Sequence, residues 1–255
     1  MIIIPARLAS TRFANKILAD IQGEPMLIKT AKNASKVDEV CIACDDEMVL
    51  NICKQAGLKS VLTSKHHQSG TDRCNEAAQK LGLKSDEIII NIQADEPFLE
   101  STVIHTLQNL MQHKARKNPP FMASCAKKIS EQEAHNPNLV KVVLNAKNEA
   151  IYFSRSMIPF WRDKDTAKAK NLQNSAIPTY YGHLGVYGYS VESLREFCTL
   201  PNDIDSSPLE HIEKLEQLRA IYQGKTIQMA IVQSQSIGID TKEDLERALA
   251  IFCDS

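Results

Sequence analysis

The sequence predicts an α/β protein built on a mostly parallel central sheet that is flanked by helices. From residue 1 to about 125, short apolar runs alternate with segments of helical periodicity, which is the pattern of successive βαβ units. The apolar run at 87–92 is typical of a buried strand of a parallel sheet. At 255 residues, of which 43% are apolar and 24% charged, the chain is long enough to form one substantial core. By length the chain could form one large α/β domain or two small ones, and we expect a single domain over residues 1–255.

The individual elements follow from two periodicities of the apolar residues. Strands are predicted at 2–4, 39–43, 60–62, 87–92, 121–125, 139–144, 149–154, 181–189 and 226–232. Helices are predicted at 25–34, 47–56, 71–81, 101–114, 209–223 and 242–252. The first strand is expected to break at Pro5, and Ser207 is expected to cap the helix that follows it. The polar stretch 157–179 predicts an excursion or a flexible arm rather than part of the core.

Charge and cysteine content exclude several classes of protein. The 30 basic and 31 acidic residues give a net charge of -1, which argues against a general binder of nucleic acid or of membrane surfaces. The seven cysteines are scattered, and the Cys41–Cys44 pair lies inside an apolar strand, where buried strand residues are expected more than a redox pair. We expect no signal peptide, and no apolar run reaches the roughly 18 residues that a membrane span needs. The pattern suits a cytoplasmic protein.

A basic loop follows the first strand and is the first candidate site. It carries the cations Arg7, Arg12 and Lys16 together with the hydroxyls of Ser10 and Thr11. The loop lies directly after a buried strand, at the sheet edge where open α/β folds bind ligands, so it predicts an anion site. The plainer interpretation is a surface loop with solvated charges. No P-loop or Rossmann glycine motif occurs in the chain.

Two aspartates are the second candidate. Asp95 follows the most apolar strand, and Asp240 lies between a strand and the last predicted helix. Carboxylates at the same edge as Lys16 are suited to holding Mg²⁺ on a phosphate chain. Taken singly, each has a plainer interpretation, a turn for Asp95 and a helix N-cap for Asp240.

A glycine-bearing turn before the helix at 71–81 is the third candidate. Ser69, Gly70 and Thr71 would lie at a helix N-terminus, which suits a ribose, a base edge or a phosphate. Plain capping explains the two hydroxyl residues equally well. The neighbouring His66 and His67 do not predict a metal site, because adjacent side chains project in different directions.

A fourth set of polar residues lies late in the chain, comprising Arg155, His183, Tyr187, Glu210 and Glu213. The two glutamates are helical neighbours, and such an acidic stripe is most often simply solvated. If it faces a cleft, it would instead accept hydrogen bonds from sugar hydroxyls, while Arg155 would bind a substrate carboxylate.

Taken together, these motifs resemble the 3-deoxy-D-manno-octulosonate (Kdo) cytidylyltransferases, also called CMP-Kdo synthetases. The resemblance spans essentially the whole chain and rests, in order, on residues 3–12, 67–73, 91–97, 136–143, 152–155, 183–189, 207–213 and 238–245. Two departures are visible. The family usually has Pro-Gly-Lys where this chain has Ala14, Asn15 and Lys16, and it usually has Gly in place of Ala94.

The resemblance implies a Rossmann-like nucleotidyltransferase fold with a smaller β-rich excursion at about 150–210 for dimerisation, sugar binding and a lid. It also implies a cytoplasmic homodimer that joins CTP to Kdo, releases pyrophosphate and serves lipopolysaccharide biosynthesis, with Mg²⁺ as cofactor and no nucleic-acid or membrane partner. A cytidylyltransferase for another acidic sugar, such as a sialic acid, and an inactive nucleotide-binding regulator of the same fold are the alternatives.

The site residues implied by the resemblance form four sets. The catalytic residues are Lys16, Arg7, Asp95 and Asp240, of which Asp95 and Asp240 hold the metal. The nucleotide-binding residues are Ala6, Arg7, Leu8, Arg12, Lys16, Gln68, Ser69, Gly70 and Arg73. The residues that bind the sugar acid are Gln93, Arg155, His183, Tyr187, Glu210 and Glu213.

Overall fold

The computed structural model describes residues 1–8, 13, 15–112, 120–162, 164 and 178–253. The chain divides into two compact units. The first unit comprises Met1–Ala123, Gly185–Thr199 and Ser234–Ser255, and the second comprises Ser124–Leu184 and Leu200–Gln233. The described residues of the predicted excursion at 150–210 belong to the second unit, except for Gly185–Thr199.

The observed elements confirm the predicted α/β class. The strands are β1 (Ile2–Ala6), β2 (Asp20–Ile21), β3 (Glu24–Pro25), β4 (Val40–Cys44), β5 (Ser60–Leu62), β6 (Ile88–Ile92), β7 (Met122–Ile129), β8 (Lys141–Leu144), β9 (Ala150–Ser154), β10 (Tyr180–Ser190) and β11 (Ile227–Val232). The α-helices are α1 (Met26–Ala34), α2 (Glu47–Gln55), α3 (Gly70–Lys80), α4 (Ser101–Gln112), α5 (Glu131–Ala134), α6 (Val191–Thr199), α7 (Pro208–Glu213), α8 (Leu218–Tyr222) and α9 (Lys242–Phe252). A 3₁₀ turn spans Lys16–Leu18.

The first unit is organised around parallel strands in the order β6-β1-β4-β5. Every residue of β1 and β4 is buried, because helices join successive parallel strands and cover the sheet. The end of β10 pairs antiparallel with β6, with Val186 opposite Ile92. The carboxyl ends of β1 and β6, which the candidate site residues follow, therefore lie at one edge of the sheet.

Strand β1 continues through Pro5, so the prediction that it breaks there is wrong. The N–H of Ile2 donates to the carbonyl of Glu39 on the β4 side. Because N–H groups alternate sides along a strand, position 5 faces β6. Pairing between β1 and β6 ends at Ile3. The N–H that proline lacks is therefore not needed for any ladder bond.

The second unit contains two antiparallel strands in the region where the sequence predicts a pair of strands. Strands β8 and β9 form a hairpin in which Lys141 is opposite Ser154 and Val142 is opposite Phe153. Strand β8 also pairs with β10 through Lys141 and Gly182. The predicted antiparallel pair is thus confirmed.

One of the predicted helices is divided into two short helices in the structure. The helix expected at 209–223 ends at Glu213, and a second short helix starts at Leu218. Lys214 adopts a left-handed conformation with φ 55, and the carbonyl of Glu213 accepts a hydrogen bond from Arg155 instead of a helical N–H. Ser207 occupies the N-cap position, but its hydroxyl makes no capping bond and contacts Glu210. A tertiary contact therefore replaces the helical continuation.

Candidate active site

Three charged side chains that are far apart in the sequence meet in the first unit. The ammonium of Lys16 lies 2.5 Å from Oδ2 of Asp95 and 2.9 Å from Oδ1 of Asp240. Asp95 follows β6, Asp240 precedes α9, and Lys16 begins the 3₁₀ turn after the basic loop. The structure thus brings together the loop and the two aspartates of the sequence analysis.

The backbone around the aspartates fixes this arrangement. The N–H of Ile239 donates to the carbonyl of Asp95 at 3.0 Å, which ties the two loops together. The N-cap of α9 is Thr241, whose hydroxyl accepts from Asp244 in a reciprocal capping box. The plainer interpretation of Asp240 as the cap of the last helix is therefore wrong, and its carboxylate is directed at Lys16.

The charges at this position suit a divalent cation. Burial alone would lower the pKa of Lys16, but Asp95 and Asp240 outweigh it and hold the pKa above its ordinary value of 10.5. The ammonium lies between two carboxylate groups, where a metal ion held by both would also lie. In the part of the chain that the structure describes, no third His, Cys, Asp or Glu completes a ligand group. Phosphate and water oxygens would have to supply the remaining ligands, as is usual for Mg²⁺.

A buried ion pair supports the predicted nucleotide-binding loop. Asp45, just after β4, accepts from the N–H of Leu8 at 3.2 Å and from Nη2 of Arg73 at 3.0 Å. Arg73 is 2% exposed, and it also donates to Thr63 at 2.7 Å. A direct nucleotide contact by Arg73 stays a prediction. Asp45 and Arg73 together hold the start of the basic loop against α3.

Helix α3 begins close to the end of β1. Ser69 is its N-cap and accepts from the N–H of Asp72, so the plain capping role of Ser69 is confirmed. A Cβ on Gly70 would lie 3.1 Å from Pro5 and 3.4 Å from Gln93. Only glycine therefore allows the helix to approach the strand this closely without displacing a neighbour.

We expect Asp45→Asn to lower the free energy of unfolding by about 3–5 kcal/mol, because it leaves the buried Arg73 without its counter-charge. Urea unfolding measures the change. The exposed pair between Glu39 and Lys59 provides the matched control, since Glu39→Gln should change stability by about 1 kcal/mol or less. A loss of that small size for Asp45→Asn would contradict the supporting role of the buried pair.

In the second unit, Glu213 is bound from two directions. Its carboxylate accepts from the hydroxyl of Ser154 at 2.5 Å and from the N–H of Arg155 at 2.8 Å. Arg155 in turn donates Nε to the carbonyl of Glu213 at 2.8 Å and Nη1 to that of Pro137 at 3.2 Å. The end of β9 and the end of α7 are therefore fastened to each other.

Glu210 is held by a cation that the sequence analysis did not single out. Arg219, which is 3% exposed, donates Nε and Nη2 to the two oxygens of Glu210 at 2.9 and 2.6 Å. Such a bidentate pair fixes the orientation of the carboxylate. The acidic stripe is thus not simply solvated, which its i, i+3 spacing alone did not reveal.

His183 is the buried histidine of the second unit. It contacts the hydroxyl of Ser124 at 2.9 Å through Nε2 and packs edge-on against Phe153 at 4.9 Å. Burial lowers the pKa of His183 to about 3. Its ring is therefore neutral at physiological pH and offers hydrogen bonds rather than charge.

The other predicted site residues are distributed as follows. Arg12 lies outside the described residues. Gln68 donates to the carbonyl of His66, and Gln93 donates to Asn91 at 3.2 Å. Tyr187 lies in β10 opposite Asn91. Nucleotide and metal residues belong to the first unit, whereas most sugar residues belong to the second.

The chain is similar to known proteins over most of its length. The cytidylyltransferase family model matches residues 1–227. A 3-deoxy-manno-octulosonate cytidylyltransferase of Helicobacter pylori (strain HPAG1) is 56% identical over 253 residues, which cover 99% of this chain and 97% of the relative. The protein with the same description from Wolinella succinogenes is 53% identical over 257 residues and covers 100% of both chains.

A solved structure is similar over the same length. The structure of CMP:2-keto-3-deoxy-manno-octonic acid synthetase complexed with CTP matches with a TM-score of 0.85 and 35% identity, covering 99% of this chain and 98% of that chain. Among the described residues, no helix combines the length and apolar character that crossing a bilayer requires.

Proposed function

The chain belongs to the cytidylyltransferase family and, within it, to the 3-deoxy-manno-octulosonate cytidylyltransferases, and from this premise we propose that it transfers CMP from CTP to Kdo. The products are CMP-Kdo and pyrophosphate, and CMP-Kdo then serves lipopolysaccharide biosynthesis. The observation that carries the proposal is the convergence of Asp95 and Asp240 on Lys16, because a triphosphate substrate requires a site that combines cations with metal-binding carboxylates.

In this proposal the catalytic residues act mainly by neutralising charge and by positioning. Asp95 and Asp240 hold Mg²⁺, which when bound neutralises charge on the phosphate chain. Lys16 then donates to phosphate oxygens, beside Arg7 and Arg12. The anomeric 2-hydroxyl of Kdo attacks the α-phosphorus in line and loses its proton to water, and the bond from the α-phosphorus to the bridging oxygen breaks, so that pyrophosphate leaves.

The remaining residues provide recognition. The nucleotide is bound by Ala6, Arg7, Leu8, Arg12, Lys16, Gln68, Ser69, Gly70 and Arg73. The sugar acid is bound by Gln93, Arg155, His183, Tyr187, Glu210 and Glu213. The engagement of Glu210 and Glu213 by fixed partners supports this, since carboxylates held in one orientation make selective acceptors for hydroxyl groups.

We also propose a cytoplasmic homodimer joined through the second unit. All seven cysteines are free thiols, which supports a reducing compartment. Large apolar side chains are exposed on the second unit at Ile151, Phe160, Ile204, Ile212, Tyr222 and Ile231. Phe160 is 85% exposed and Ile212 is 76% exposed, and so many apolar side chains on one unit favour a partner surface.

We expect Ile212→Glu to convert the dimer into a monomer, because a carboxylate in an apolar interface has no partner. Light scattering would show a mass near that of one 28.5 kDa chain, against twice that value for the unmodified protein. The control is Ile251→Glu, at a position 45% exposed on the first unit, which should leave the mass unchanged. An unchanged mass for Ile212→Glu would remove this residue from the interface.

The experiment that tests the proposed function is pyrophosphate release with CTP, Mg²⁺ and Kdo, run beside UTP, ATP and a sialic acid. Release that needs both CTP and Kdo is the expected result. Release with the sialic acid alone would keep the reaction and replace the sugar. No release from a folded protein that still binds CTP would favour an inactive nucleotide-binding regulator.

A further inference from the structure

Lys141, the first residue of β8, is a buried cation that the assignments above leave unused. Its relative exposure is 0%. The ammonium donates to the carbonyl of Asn136 at 2.8 Å and to the carbonyl of Arg155 at 2.6 Å. An ammonium has three donors, and the described residues offer Lys141 no third acceptor. It thus links two backbone segments and retains one N–H.

No described carboxylate forms an ion pair with Lys141. Burial and the neighbouring Arg155 lower the pKa of Lys141, and only Glu213 opposes them. The carboxylate of Glu213 already accepts from Ser154 and from the N–H of Arg155. A buried cation without an ion-pair partner is costly to the fold. The charge of Lys141 therefore favours a further anion beside the single carboxylate of Glu213.

Arg155, whose carbonyl Lys141 binds, is a second cation in this region. Its Nε donates to the carbonyl of Glu213, and its Nη1 donates to the carbonyl of Pro137. Its Nη2 has no partner among the described residues. Lys141, Arg155 and Glu213 together carry a net positive charge. Lys141 also holds two backbone carbonyls in place, those of Arg155 and of Asn136, the residue before Pro137.

We propose that Lys141 is a positioning residue for the sugar acid, and that its buried charge selects for the carboxylate of this substrate. The inference rests on the proposed function. Lys141 is fully buried, so it acts through Arg155: it fixes the backbone from which the guanidinium extends, and its charge makes the surroundings of Arg155 favour an anion.

The test compares Lys141→Met, Lys141→Gln and Lys141→Arg with the unmodified protein. We expect the two neutral variants to raise the KM for Kdo by about tenfold to fiftyfold, and to change kcat and the KM for CTP by less than about threefold. Arg155→Ala sets the scale for loss of the direct contact. Lys147→Met removes the same charge from an exposed turn of the same unit and should leave all constants unchanged.

A second readout separates charge from structure. The inhibition constants of the carboxamide of Kdo and of a non-reacting Kdo analogue that keeps the carboxylate are compared for each protein. The preference for the acid should fall by about tenfold in Lys141→Met and Lys141→Gln, and should persist in Lys141→Arg. A purely structural role would weaken both ligands equally and leave this ratio unchanged.

The outcomes are distinct. An unchanged acid-to-amide ratio in a folded neutral variant overturns the inference, and CTP binding reports whether the variant is folded. If neither neutral variant folds while Lys141→Arg does, the charge serves the fold and the inference is wrong. Failure of the unmodified protein to turn over Kdo would instead count against the proposed function, so the two failures are told apart.

Discussion

Asp95→Asn is expected to lower kcat by about 10³-fold or more, while the fold is retained. Asparagine has nearly the same shape as aspartate but no charge, so it removes one of the two carboxylates proposed to hold Mg²⁺. It also removes the partner of Lys16 at 2.5 Å. Pyrophosphate release gives the rate, and calorimetry gives the affinity for Mn²⁺ in the absence of nucleotide, which should fall in parallel.

The matched control for this change is Asp86→Asn, which removes the same charge at an exposed position of the same unit. It should leave both the rate and the Mn²⁺ affinity unchanged. Thermal unfolding shows that each variant is folded. If Asp95→Asn turned over at the normal rate, the metal-binding role of Asp95 would have to be given up.

Lys16→Met is expected to lower kcat by about 10² to 10⁴-fold, because it removes the cation proposed to bind the phosphate chain. The same change should strengthen Mn²⁺ binding in the nucleotide-free protein. In the structure the ammonium of Lys16 lies between Asp95 and Asp240, so it competes for the position of the metal. Opposite effects on rate and on metal affinity are the distinguishing result.

The effect on metal affinity must also be separated from general electrostatics. Lys84→Met removes an exposed positive charge from the same unit and should change neither quantity. A non-hydrolysable CTP analogue provides a second comparison, because we expect its phosphates to draw Lys16 away from the carboxylates in the unmodified protein. The analogue should therefore strengthen Mn²⁺ binding more in the unmodified protein than in Lys16→Met. Equal strengthening would show that Lys16 does not compete with the metal.

The pattern of apolar residues alone predicts the strands and helices that position the candidate site of the first unit. Apolar runs predict β1 and β6, and parallel strands share an edge, so Lys16, Asp95 and Asp240 are expected at one edge of the sheet. The pattern was wrong where a tertiary contact intervened. The helix expected at 209–223 is interrupted after Glu213, whose carbonyl accepts a hydrogen bond from the side chain of Arg155, the residue after β9.

The sequence pattern does not predict which groups the buried charged side chains bind. Arg219 lies nine residues from Glu210, and nothing in that spacing indicates that the guanidinium is buried against it. Lys141 lies between Val140 and Val142 at the start of β8, and a lysine in a strand ordinarily lies on a solvated face. The structure shows the opposite, because the side chain is directed inward to two backbone carbonyls.

The sequence by itself determined the fold class, the order of the strands along the chain and the family to which the chain is related. These depend on local periodicity and on short motifs, which each segment carries independently of its surroundings. Only the tertiary structure decided which charges pair. The strength of an ion pair depends on distance and on burial, and both are set by segments as far apart as Lys16 and Asp240, which the folded chain alone brings into contact.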